Sequence, residues 1–91
     1  MSSDKHLHLA EGFMSLLEDS DINYTSNFNS VDKIFIIQIK ENDLSISLTF
    51  RKFSILLELN GNSNTSILDF GIDDIHTPID VLDKLRSLFL L

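Results

Sequence analysis

Three histidines, fourteen acids and a scatter of serines are the groups in this 91-residue sequence that could do chemistry, and their spacing argues against most of it. His6 and His8 stand two apart, which is ligand spacing on a strand, but on a helix they diverge by about 200° and cannot share a metal. His76 beside Asp73 and Asp74 has the donor types of an oxygen and nitrogen site, a weak pattern next to a helix start. With no cysteine, neither a zinc-thiolate centre nor a disulfide can form. The serines lack a glycine-framed nucleophile, and the histidines lie toward the two edges of the chain. Gly12, Gly61 and Gly71 are the only glycines, too few and too dispersed for a phosphate-cradling loop or a dinucleotide fingerprint. The acids fall in turns, at helix ends and on polar faces, not in an apolar pocket that would shift a pKa. Tyr24, the only tyrosine, reads as a sheet residue. The expectation is a protein that is not an enzyme and uses no metal or cofactor.

Charge is more informative. Fourteen acids against seven bases give a net charge of −7 and a pI near 4.6, which repels nucleic acid and anionic membrane and favours a basic protein partner. Glu18, Asp19 and Asp21 fall at the C-terminal end of a helix, where each acid opposes the helix dipole by about 0.3–1 kcal/mol. A local rule broken without visible compensation is a place to look for function. Asp69, Asp73, Asp74, Asp80 and Asp83 form a second run with no base until Lys84. A helix start accounts for Asp80 and Asp83. Asp69, Asp73 and Asp74 remain, and of these Asp73 and Asp74 join Glu18, Asp19 and Asp21 as the candidate partner-binding charges.

The elements that must position these charges follow from hydrophobic period. Leu7, Ala10, Phe13, Met14 and Leu17 recur at helical steps and predict an amphipathic helix from Asp4 to about Glu18, with Ser3 as its N-cap. Gly12 inside it costs about 1 kcal/mol against alanine, so the helix depends on docking. The period then changes to two. Ile22, Tyr24 and Phe28 suggest a first strand. VDKIFIIQIK suggests a second, with Val31, Phe35, Ile37 and Ile39 on one side and Ile34 and Ile36 on the other. Glu41, Asn42 and Asp43 supply a hairpin turn. Asn60 to Asn64 is a loop and Thr65 to Phe70 a short strand. Thr77-Pro78-Ile79-Asp80 then starts a helix, with a threonine cap, proline at the first helical position and an acid three residues past the cap. Its expected buried face is Ile79, Leu82, Leu85, Leu88 and Phe89.

Between the turn and the loop runs DLSISLTFRKFSILLEL, whose apolar residues are even-numbered from Leu44 to Phe50 and odd-numbered from Phe53 to Leu59. Side chains alternate strictly along a strand, so a device at Arg51-Lys52 must restore the phase. A hairpin turn and a bulge both do so. Strand length favours the hairpin, although Arg-Lys is not preferred chemistry for a turn requiring positive φ.

The order is helix, a four- to five-stranded antiparallel meander, and helix, within a single α+β domain spanning 1–91. The expected architecture is a two-layer sandwich with the helices mainly on one face. Ser45, Ser47, Thr49, Gln38, Lys40, Ser54 and Glu58 would occupy the other face, with Ile34, Ile36 and Leu56 as an apolar patch suited to a partner or a homodimer. The amino terminus lacks a signal peptide, no run is long enough to span a bilayer, and cysteine is absent, so a cytoplasmic location is expected. Asn23 and Asn64 match the glycosylation acceptor pattern, unused without a secretion signal. In size, charge and element order alone, the layout resembles phage inhibitors of bacterial defence, immunity proteins that neutralise toxins, and secretion chaperones. The expected function is a small acidic protein-binding module of inhibitor or immunity type. The alternative is a chaperone-like or structural homodimer on the open sheet face.

Overall fold

The alternating stretches become four strands because each carries an apolar row to one side and turn residues at its ends, and a fifth strand at the sheet's edge adds Phe28 to that side. The computed structural model describes residues 4–61 and 64–89. It contains α1 (Lys5–Asp19), β1 (Thr25–Asn29), β2 (Ile34–Glu41), β3 (Leu44–Phe50), β4 (Ser54–Asn60), β5 (Thr65–Gly71), a 3-10 turn (Ile72–Asp74) and α2 (Pro78–Phe89). The strands form one antiparallel sheet in the order β1-β2-β3-β4-β5. The residues at Arg51-Lys52 make a hairpin. Phe50 pairs with Ile55, and the Arg51 N–H donates to the Ser54 carbonyl at 2.9 Å. None of the turn's residues takes positive φ, so Arg and Lys are no obstacle.

On one face, Ile37, Leu48, Leu57 and Leu68 make one cross-strand row, and Phe35, Phe50, Ile55 and Phe70 make the next. Both helices cover this face, α1 over β2 and β3 and α2 over β4 and β5. The core joins these rows to Leu9, Ala10, Phe13 and Leu17 of α1 and to Val81, Leu85 and Leu88 of α2. Among the described residues, no helix is long and apolar enough to cross a membrane.

Several expected core positions move. Phe53 is 75% exposed and Val31 89% exposed, because each lies in a hairpin connection beyond the strand end. Val31 sits where the Asn29 side chain accepts hydrogen bonds from the Val31 and Asp32 N–H groups, closing the β1–β2 turn. In α1 the buried stripe is His6, Leu9, Ala10, Phe13 and Leu17, not the Leu7 and Met14 side. In α2 Val81 is buried and Ile79 exposed. The Ser3 cap and the Phe89 side chain lie outside the described residues. The start of α2 is as its sequence implies. The Asp80 carboxylate accepts from the backbone N–H groups of His76 and Thr77 at 2.8 and 3.0 Å, and these bonds hold its pKa below the usual value.

Each element reverses the direction of the one before it. His6, near the start of α1, reaches the Lys33 carbonyl ahead of β2, while Leu17, near its end, shares a cleft with Ile39 and Leu44. The helix therefore runs alongside β2 and in its direction. Five strands, an odd number, separate the helices, so α2 runs parallel to α1. Pro78 at its start faces Gly12, and Leu82 and Leu85 join Leu17 in the cleft.

Candidate functional site

Up-and-down order decides which charges meet. Helix α1 ends in a Schellman turn, in which the Ile22 N–H donates to the Leu17 carbonyl at 2.9 Å and the Asp21 N–H to Glu18 at 3.1 Å. This closure requires a left-handed residue after the C-cap Ser20, and that residue is Asp21, at φ 57°. Glycine is the unstrained choice for such a position. The turn also returns the chain so that the Tyr24 hydroxyl donates to the Glu18 carboxylate. At the same end of the sheet, the β2–β3 connection places Glu41 and Asp43 around Asn42, which is left-handed at φ 57°.

The end thus gathers Glu18, Asp19, Asp21, Glu41 and Asp43, with Lys40 and, in the last turn of α2, Arg86 as nearby cations. Among the described residues none of these five carboxylates is in a salt bridge; the ion pairs are His8–Glu11 and Asp83–Arg86. Between them opens a cleft of about 250 Å³ lined by Leu17, Ile22, Ile39, Leu44, Leu82 and Leu85, with Glu41 at its polar side. A shallower hollow beside it is bounded by Glu18, Asp21, Ile22, Asn23 and Tyr24. An apolar cleft with Glu41 on its wall and four further carboxylates at the same end can receive an apolar side chain flanked by cations.

Asp73 and Asp74 are not part of this group. They ride on the 3-10 turn at the opposite end of the sheet, pinned between buried Ile72 and Ile75, where the Ile72 N–H donates to the Phe53 carbonyl at 3.0 Å. Arg51 and Lys52 belong to the hairpin turn they adjoin, so that end is charge-mixed. Among the described residues, no three His, Asp or Glu side chains are grouped to hold a metal, and His76 does not join Asp73 and Asp74 in such a set.

The apolar patch on the open face also changes. Ile36 and Leu56 lie in one cross-strand row but on either side of Thr49 in β3, and Ile34 sits at the sheet's end opposite Asn29. Ile67 of β5, 59% exposed, belongs to the same face. Its alternation with Leu68 marks it as outward once the inward row is fixed.

The Glu18 hydrogen bond has a measurable consequence. That bond, then partial desolvation and the charge of Glu18 itself, push the Tyr24 phenol above its ordinary value of 10.0. A raised phenol pKa means the contact stabilises the fold below the ordinary tyrosine range and is lost as pH rises through the folded value. Titration of tyrosinate absorbance, clean because Tyr24 is the only tyrosine, should give a midpoint above that of free tyrosine. Glu18→Ala should lower it toward the ordinary value. Identical midpoints in the two proteins would show that the contact is not held in solution.

Comparison with protein-family models, curated proteins and solved structures finds no match.

Proposed function

We propose that the protein is a non-enzymatic binding module whose acidic end occupies a basic site on another protein, as an inhibitor or immunity-type protein does. One observation carries this reading: five carboxylates gather at the end of the molecule where an apolar cleft opens beside Glu41, and one of them, Asp21, stands where glycine would relieve strain. An acid kept at a left-handed helix terminus, against the helix dipole, suggests a role other than stability. The partner surface that fits is cationic with a projecting apolar side chain, such as a basic groove used for nucleic acid. Asp73 and Asp74, at the far end, are left out of this contact.

Asp21→Gly separates function from stability. Removing left-handed strain from a non-glycine residue should stabilise the fold by about 1 kcal/mol, read from the denaturation midpoint at unchanged slope. The same variant should bind a peptide of lysine and leucine more weakly, followed by Tyr24 fluorescence. Wild-type affinity should fall roughly tenfold or more between low and high ionic strength. Salt-independent binding, or a variant that binds as well as wild type, would exclude the acidic end as the contact.

A further inference from the structure

The open face of the sheet has a symmetry that its composition alone does not disclose. Its middle strand, β3, presents only Ser45, Ser47 and Thr49 there, all half-buried. Across Thr49 the row reads Asn27, Ile36, Thr49, Leu56, Asp69. Across Ser47 it reads Thr25, Gln38, Ser47, Glu58, Ile67, and across Ser45 it reads Lys40, Ser45, Asn60, Thr65. Apolar residues thus stand one strand to each side of β3 in the Thr49 row, and every charged residue is off the middle strand.

We infer that this face pairs with the same face of a second copy about a twofold axis running along β3. Rotation about that axis keeps each row and exchanges β2 with β4 and β1 with β5. Ile36 of each copy then covers Leu56 of the other, and Gln38 covers Glu58, an amide donor facing a carboxylate. Asn27 covers Asp69 in the same sense, Lys40 covers Asn60, and Thr25 covers Ile67. No two like charges oppose one another. A residue on a twofold axis meets its own copy, so a charge there would repel itself. The small hydroxyl residues of β3 meet that requirement, and a face shaped for an unrelated partner has no reason to.

The dimensions are sufficient. Five strands about 4.8 Å apart and up to eight residues long offer roughly 600 Å² per copy, about 1,200 Å² in total, the lower bound of a specific interface. Two such sheets pack about 10 Å apart with strand directions within about 30° of each other, and an axis along β3 holds them aligned. The helices lie on the opposite face and do not obstruct it. None of the five carboxylates of the acidic end takes part in the contact, so either surface can fail without the other.

Sedimentation equilibrium on the full chain tests the pairing. Wild type should be a concentration-dependent dimer, and Gln38→Glu, which sets two carboxylates against each other at two symmetric places, should weaken it about tenfold or more. Adding Glu58→Lys to that variant should restore dimerisation, because the reversal turns both repulsions into attractions. Thr49→Asp, facing itself on the axis, should leave a folded monomer by circular dichroism. A strict monomer at millimolar wild-type concentration would overturn the inference. So would a dimer indifferent to Gln38→Glu, or one weakened by it that Glu58→Lys does not rescue.

Discussion

His6→Ala is expected to destabilise the fold by about 3 kcal/mol, the largest effect of any substitution outside the apolar core. His6 is the one buried polar side chain among the described residues, at 1% exposure. Its Nε2–H donates to the Lys33 carbonyl at 2.7 Å, tying the first turn of α1 to the β1–β2 turn. Lys33 is itself left-handed, at φ 54°, so its carbonyl is aimed by a turn that the Asn29 side chain closes. Alanine loses both the ring's packing and the hydrogen bond. His6→Phe separates the two. It keeps most of the ring volume, deletes the bond to Lys33, and also deletes Nδ1, which is buried without a hydrogen-bond partner among the described residues. Those polar terms oppose each other, so His6→Phe should stay within about 1 kcal/mol of wild type in chemical denaturation. Equal losses in the two variants would mean that the hydrogen bond, and not the packed ring, dominates.

Gly12→Ala is expected to cost about 1–2 kcal/mol, although alanine is the better helix former by about 1 kcal/mol. A Cβ at residue 12 would collide with Pro78 Cγ. The proline ring cannot swing aside as a long side chain would. The helices must separate or rotate, and Phe13 on one side and Val81 on the other lose packing with them. Pro78→Ala removes the obstacle, and in that background Gly12→Ala should become neutral or stabilising as propensity reasserts itself. A double-mutant cycle in urea measures the coupling, expected at about 1–3 kcal/mol. Additive effects would show that the helices do not meet at these residues in solution. The sequence penalty at Gly12 thus has its compensation in the close approach of the parallel helices.

Much of the architecture was legible because each level of the sequence agreed with the next. The phase slip after Phe50 could be absorbed only by a turn or a bulge, and Thr77-Pro78-Ile79-Asp80 starts a helix where those residues imply one. What was not legible depended on which of two near-equivalent faces docks. In α1, positions 6, 10, 13 and 17 form as regular a stripe as 7, 10, 14 and 17, and histidine reads as polar until a carbonyl is found opposite it. Val31 and Phe53 fall on the inward side only if alternation continues past the strand ends, where turns release it. The candidate charges show the same limit. In the linear sequence Asp73-Asp74 looks equivalent to Glu18-Asp19-Asp21; the reversal of direction at every element sends the pairs to opposite ends and brings Glu41 and Asp43 to the first.

The odd number of strands between the helices has a final consequence, in the electric moment of the whole molecule. Two parallel helices add their moments, each contributing roughly half a charge at either end. Their negative ends lie with five carboxylates, Lys40 and the ion-paired Arg86. Their positive ends lie where Lys5, Lys33, Arg51 and Lys52 nearly balance the acids around them. A cationic partner within about a Debye length would exert a torque as well as a pull, turning the leucine-lined cleft toward itself before any atoms touch. Association should then be fast and oriented at low salt, and slow more steeply with added salt than a uniformly spread charge of −7 would predict.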